Sequence, residues 1–180
     1  MESLRGPLSD AYQALAPSSA PVTASYVSSV AAHGVDERDC DAAGADVAAW
    51  ERLLLEALGA ARPAELERGQ CLVGPHRDDV LLRLGELPAR GYASQGESWS
   101  LALALRLSSY DLLFAESSSA PVLVLDDVFA ELDSRRRRHL ADRLHDADQV
   151  LVTAAVAADV PEGLGGARFV VEAGSVRRDQ

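Results

Sequence analysis

The run Val122-Leu123-Val124-Leu125-Asp126-Asp127 constrains this chain more than any other feature. An unbroken apolar stretch closed by two carboxylates is the pattern of a strand buried on both faces, ending at the edge of a sheet. Asp133 to Asp146 reads as a helix, and Gln149 to Thr153 repeats the buried-strand pattern. Strand, helix, strand in that order is a βαβ unit, so the two strands are expected to be parallel. Open α/β folds bind ligands beyond the carboxyl ends of their strands, which is where Asp126 and Asp127 stand. Two adjacent acids there repel one another and are costly unless a cation or hydrogen-bond donors meet them. The plain alternative is a strand that simply meets a polar loop.

The rest of the chain supplies mostly helices. Its 180 residues fit one domain or two small lobes, and with aromatics at only 5% the core must be mostly Leu, Val and Ala. Residues 1–16 read as a helix, with Leu4, Leu8, Tyr12 and Leu15 at helical spacing. Val22 to Ser29 alternates like a strand, and His33 to Gly44, polar and with two glycines, reads as a loop with room for a helical turn. A long helix is expected from Ala45, with Val47, Trp50, Leu54 and Leu58 as its stripe, broken or restarted at Pro63. Cys71–Val73 and Val80–Leu84 are short β-like runs flanking the turn Gly74-Pro75-His76-Arg77-Asp78-Asp79. Pro88 to Ala93 is a connection, Ser94 opens a strong helix reaching about Ser117, and Phe169–Glu172 is a last strand turning at Gly174.

Charge and composition exclude several classes. There are 28 acidic and 17 basic residues, a balance of −11 that argues against broad binding to a phosphate backbone while leaving a local patch open. Every basic residue is Arg. A P-loop needs a Lys to reach the terminal phosphates, so these residues contain none and are not expected to form a complete nucleotide-binding unit alone. Cys40 and Cys71 are too few for a disulfide scaffold and are expected to be free thiols in a reducing cytoplasm. No secretory signal pattern opens the chain. The apolar-rich segment Trp99 to Phe114 is interrupted by Ser, Arg and Asp and is too polar to span a bilayer.

Three motifs carry chemistry. Ser94-Gln95-Gly96-Glu97 is, locally, a capping box: Ser94 can accept from the N–H of Glu97, and Glu97 can reach back to that of Ser94. The anchored helix behind it presents free N–H groups and a positive dipole end, and Gly96 would let a phosphate oxygen approach the backbone. Asp126 at its strand end suits Mg²⁺ held through water, with Asp127 placed to orient or deprotonate an attacking water. In Phe129-Ala130-Glu131-Leu132-Asp133, Asp133 is a good N-cap, and Arg135–Arg138 point around the following helix, most of them solvated. His76 and Arg77 read as parts of a hydrogen-bonded turn; a metal site with Asp78 and Asp79 is disfavoured because the ligands crowd one short turn.

Taken in order, S-Q-G-E, a helix, a strand ending D-D and then E-L-D resemble the ATPase heads of the ABC class. The segment Gly74-Pro75-His76-Arg77-Asp78-Asp79 and the run Leu125-Asp126-Asp127-Val128-Phe129-Ala130-Glu131-Leu132-Asp133 resemble the RecF family, specifically over residues 70–180 and more weakly over residues 1–69. The resemblance implies an α/β fold, the C-terminal half of an ABC-type P-loop NTPase head with a parallel sheet and flanking helices, plus a mostly helical lobe. Residues 1–117 would be that lobe, with the signature motif, and residues 118–180 the C-terminal part of the ATPase core.

It implies a cytoplasmic DNA-repair ATPase with ATP and Mg²⁺ as cofactors. Such proteins bind DNA at gaps and single/double-strand junctions, act with RecO and RecR to load RecA, and support the SOS response. Two heads would dimerise around ATP. Ser94, Gln95, Gly96 and Glu97 would face the γ-phosphate held by a P-loop on the partner, and Asp133 would lie in the D-loop at the seam. Asp126 would hold Mg²⁺, Asp127 would polarise water where most ABC heads carry Glu, and Thr153 would occupy the switch position. The alternative is a DNA- or partner-binding module that keeps this fold without turnover. An SMC-like head is disfavoured because residues 1–69 lack heptads.

Overall fold

Hydrophobic spacing and well-placed caps set the element order in the structure, a computed structural model that describes residues 1–44, 46–117 and 119–179. The elements are α1 (Glu2–Leu15), β1 (Val22–Val27), α2 (Glu37–Ala43), α3 (Val47–Arg68), β2 (Asp79–Leu84), β3 (Leu87–Pro88), α4 (Ala89–Tyr92) and α5 (Gln95–Glu116). After them come β4 (Leu123–Asp126), α6 (Ser134–Leu144), β5 (Val150–Thr153), β6 (Phe169–Glu172) and β7 (Ser175–Arg178). The expected helix start at Ala45 and the boundary residue Ser118 lie outside the described residues.

Packing divides the chain into two compact units, one of Val22–Tyr92 and one of Glu2–Pro21 with Ala93–Gln180. The first unit holds an antiparallel sheet in the order β1-β2-β3, with Val22 opposite Leu84 and Val27 opposite Asp79. Its core joins Val30, Val35, Leu53, Ala57, Ala61 and Val73, with Trp50 and Leu54 packed against them. Asp46 caps α3 by accepting from the N–H groups of Ala48 and Ala49, and Gly69 closes it in the left-handed conformation at φ 66°.

Three expectations in this unit are corrected. Pro63 neither breaks nor restarts the helix: α3 runs through it as one element of 22 residues. The buried stripe of Leu53, Ala57 and Ala61 spans the approach to the proline, so tertiary packing holds a turn that propensity disfavours. The single helical turn allowed for in the polar stretch His33–Gly44 is instead the seven-residue helix α2, which Asp36 caps by accepting from the N–H of Arg38. Cys71–Val73 is not a strand. Side chains take its backbone groups instead: the Leu72 N–H donates to Glu65 Oε1 at 2.6 Å, and Arg77 Nε donates to the Cys71 carbonyl at 2.8 Å.

In the second unit, α1 packs against α5 and α6. Leu8, Tyr12 and Leu15 on α1, Ala104 and Leu107 on α5, and Leu140 on α6 are all buried, as is Phe129 between β4 and α6. The strands β4 and β5 pair in parallel, with Asp126 opposite Thr153. The expectation that both strands are buried on two faces is overturned. Only Leu125 of β4 is buried, while Val124 is 60% and Leu151 52% exposed. Among the described residues β4 pairs with β5 alone, so its other edge and much of its surface stay open. Finally, β6 turns through Ala173 and Gly174 into an antiparallel partner, β7.

Candidate functional site

Two clusters of the predicted residues form in the second unit. The first begins with Ser94, which caps α5 in a complete capping box. Its Oγ accepts from the Glu97 N–H at 3.3 Å and donates to Glu97 Oε2 at 2.6 Å, while the Ser94 N–H donates to the same carboxylate oxygen at 2.9 Å. Those bonds, led by the one from the Ser94 hydroxyl, hold the Glu97 carboxyl below the usual glutamate value. Ser94 and Gln95 are exposed, so the first turn of α5 faces outward.

Asp133 reaches the same place from α6. Its Oδ1 accepts from the N–H groups of Arg135 at 3.0 Å and Arg136 at 2.9 Å, capping that helix. Its Oδ2 accepts from Arg136 Nη1 at 2.9 Å. These contacts, the Arg136 N–H foremost, keep its carboxyl below the usual aspartate value. The Arg136 guanidinium then lies directly over Gly96: a β-carbon there would stand 2.6 Å from Arg136 Nη1. Absence of a side chain at residue 96 therefore lets the arginine close on the turn. Arg136, charge-coupled to Glu97 as well, ties the S-Q-G-E turn to the E-L-D segment.

Nothing in the local periodicity marks that tie, because it is a contact between two helices. The expectation that most of Arg135–Arg138 are solvated holds for the outer two and fails for the inner two. Arg137 donates from Nε to the Leu132 carbonyl at 2.8 Å and pairs through Nη2 with Asp159 at 3.0 Å.

The second cluster sits at the carboxyl ends of β4 and β5. Thr153 Oγ1 donates to Asp126 Oδ1 and accepts from the Asp127 N–H at 3.1 Å. The Asp127 N–H also meets the Thr153 carbonyl at 3.2 Å. Asp127 adopts the left-handed conformation, φ 53° and ψ 22°, which Asp tolerates better than most residues. Both acids are exposed. Among the described residues no hydrogen bond or ion pair joins this cluster to the first, and no group of three His, Cys, Asp or Glu side chains could hold a metal. Two carboxylates and a hydroxyl form an all-oxygen donor set. That fits Mg²⁺ in the mode where one or two carboxylates share the ion with waters and substrate phosphates, not a closed protein cage.

In the first unit, the segment Gly74–Asp79 is a hydrogen-bonded turn. Arg77 N–H donates to the Gly74 carbonyl at 2.8 Å, and Gly74 and Ser29 bond reciprocally at 3.0 and 3.2 Å. Gly74 has φ 136°, and a β-carbon there would meet the His76 ring at 3.0 Å, so His76 folds over the glycine. Asp78 accepts from the Tyr26 hydroxyl, from the Ser29 N–H at 2.6 Å and from Ser28 Oγ at 3.5 Å. Burial pushes the Asp78 carboxyl up, but those donors outweigh it and hold it below the usual value. The same bond pushes the Tyr26 hydroxyl up to about 12.

No family model matches the chain. It is 55% identical over 178 residues to a protein of Frankia alni named DNA replication and repair protein RecF, covering 99% of this chain and 46% of that protein. A protein of the same name from Streptomyces avermitilis is 55% identical over 173 residues, covering 96% of this chain and 43% of that one. Two solved structures, described as the recombination mediator protein RecF-ATPrS and RecF-ATP in the RecFOR pathway, share its fold with a TM-score of 0.74 at 27% identity. They cover 98% and 99% of this chain, and the chain covers 44% of each. The chain thus spans a little under half the length of the relatives it matches.

Proposed function

From the premise that this chain is a RecF-family sequence, corresponding to the C-terminal part of those proteins and carrying that part of their ABC-type ATPase fold, we propose that it supplies the signature and acidic halves of a shared ATP site in DNA repair. In this reading Ser94, Gln95, Gly96 and Glu97 face the γ-phosphate held by a P-loop on the opposite head of an ATP-dependent homodimer. The observation that carries it is the exposed Ser94–Glu97 turn, fastened by Arg136 to Asp133. The free N–H groups of that turn suit a phosphate, and the residue at the dimer seam is the one to which the turn is tied.

Asp126 is the ligand for Mg²⁺ in this scheme. Held there, Mg²⁺ would supply positive charge to offset the negative charge that develops during transfer. Asp127 accepts a proton from, or orients, the attacking water, while its own N–H is held by Thr153 at the switch position. Residues 1–117 act as the helical lobe and residues 118–180 as the core segment. DNA at gaps and junctions, RecR and RecO are the partners this family reading brings, in the cytoplasm. No helix among the described residues is long and apolar enough to cross a membrane.

The test is hydrolysis measured with a segment carrying the family's P-loop added in trans. The chain alone should show neither turnover nor micromolar ATP affinity. The mixture should hydrolyse ATP, and Asp127→Ala should lower the rate by about a hundredfold or more. Micromolar ATP binding by the chain alone overturns the shared-site reading, and association without turnover returns the non-hydrolysing one.

A further inference from the structure

One side chain, Arg137, bridges the two segments that follow β4 and β5. Its Nε donates to the carbonyl of Leu132, the residue before Asp133, at 2.8 Å, and its Nη2 pairs with Asp159 Oδ1 at 3.0 Å. The Arg137 N–H donates to the Asp133 carbonyl at 2.9 Å. Leu132 is buried, which anchors the first segment. Asp159 closes the short turn Ala157–Asp159 beyond Thr153, whose Oγ1 meets both Asp126 and the Asp127 N–H. Arg137 and Asp159 are 24% and 23% exposed, so both charges are largely withdrawn from water. Desolvation on that scale cancels much of their attraction, and the pair contributes little to stability. What it does supply is geometry. The guanidinium is a rigid planar fork, so Nε and Nη2 together fix the spacing between the Leu132 carbonyl and Asp159.

We propose that Arg137 and Asp159 are a positioning pair for ATP turnover, setting the distance from Asp133 to the corner formed by Thr153, Asp126 and Asp127. The inference rests on the shared-site reading above. Neither residue of the pair touches nucleotide in it. Asp159 acts through the turn that leads back to Thr153, and Arg137 through Leu132 to Asp133. A misplacement of about 1 Å at a reacting group can cost about a hundredfold in rate even when its source is remote. Arg136 holds the Ser94–Glu97 turn to Asp133 without using Arg137. Loss of the pair therefore spares ATP-dependent association and damages turnover.

The test is steady-state ATP hydrolysis by the chain mixed with a P-loop segment, with ATP-dependent association followed by analytical ultracentrifugation. Asp159→Asn and Arg137→Gln should each lower kcat about tenfold, with KM and association within about twofold of the unaltered mixture. The double variant should be no slower than either single one, because both remove the same contact. Arg137→Lys keeps the charge without the fork and should stay at least about fivefold slow. Arg138→Gln, an exposed arginine of the same helix, is the control and should change nothing. Full turnover in Asp159→Asn overturns the proposal, as do losses that multiply in the double variant or full turnover in Arg137→Lys. Association lost together with turnover also overturns it, since that marks a merely structural pair. An unaltered mixture that does not hydrolyse ATP sinks the shared-site reading and this inference with it, whereas an active mixture with an active Asp159→Asn sinks the inference alone.

Discussion

Glu97 and Asp133 show how much a single carboxylate can be asked to do. Asp133 caps α6 and Glu97 completes the capping box of α5, each lies near Arg136, and each has its proton affinity lowered by those contacts. A group whose folded value lies below its unfolded one stabilises the fold fully above the unfolded value and loses that contribution as pH falls through the folded one. The ordinary values are 4.5 for Glu97 and 3.8 for Asp133, so their support is complete above about pH 4.5 and drains away in more acid solution. Glu97→Gln keeps an oxygen that can accept from the Ser94 N–H but removes the charge. Urea unfolding should find it less stable at neutral pH by about 0.5–1 kcal/mol. That gap should close as pH drops below 4.5; a gap constant with pH would mean that Glu97 acts by shape alone.

At the scale of elements, α3 offers the cleanest experiment. Its helix passes through exposed Pro63 without a break, and proline has no N–H to give to the turn before it. An interior proline costs about 3 kcal/mol against Ala, while restricting the unfolded chain returns about 0.4–1. Pro63→Ala should therefore raise stability by about 2–2.5 kcal/mol in urea melts, and no change would show that the surrounding turn had fully absorbed the ring. Legibility follows the same physics. The helix α5 could be read to the residue because Ser94 and Ser117 mark its ends and its apolar stripes are long. The parallel pairing of β4 and β5 followed from order alone. What escaped was tertiary or side-chain mediated. Asp36 builds α2 inside a polar stretch, Glu65 and Arg77 pull Cys71–Val73 out of strand form, and Arg136 crosses between helices to Gly96.

For the whole molecule, the open side of β4 decides behaviour in solution. Val122, Val124 and Leu151 are each half exposed or more, and one edge of the strand has no partner among the described residues. If a P-loop segment completes this sheet, its addition should protect the amides of β4 from hydrogen exchange by at least about tenfold, through mass action on the folded form. Exchange in β6 and β7, which among the described residues pair with one another alone, should stay as it was. Equal protection everywhere would point to general stabilisation, and none at β4 would remove the sheet-completion idea.

The same bare strand edge sets a handling rule. The edge of β4 that has no strand partner among the described residues, beside Val122 and Val124, is a template on which another copy can stack. Mutual repulsion between molecules of charge −11 opposes that stacking at neutral pH. Near the isoelectric point of about 4.7 the repulsion vanishes while the template remains. Association between copies should therefore be strongest near that pH, which light scattering across a pH series would show, and purification belongs well above it.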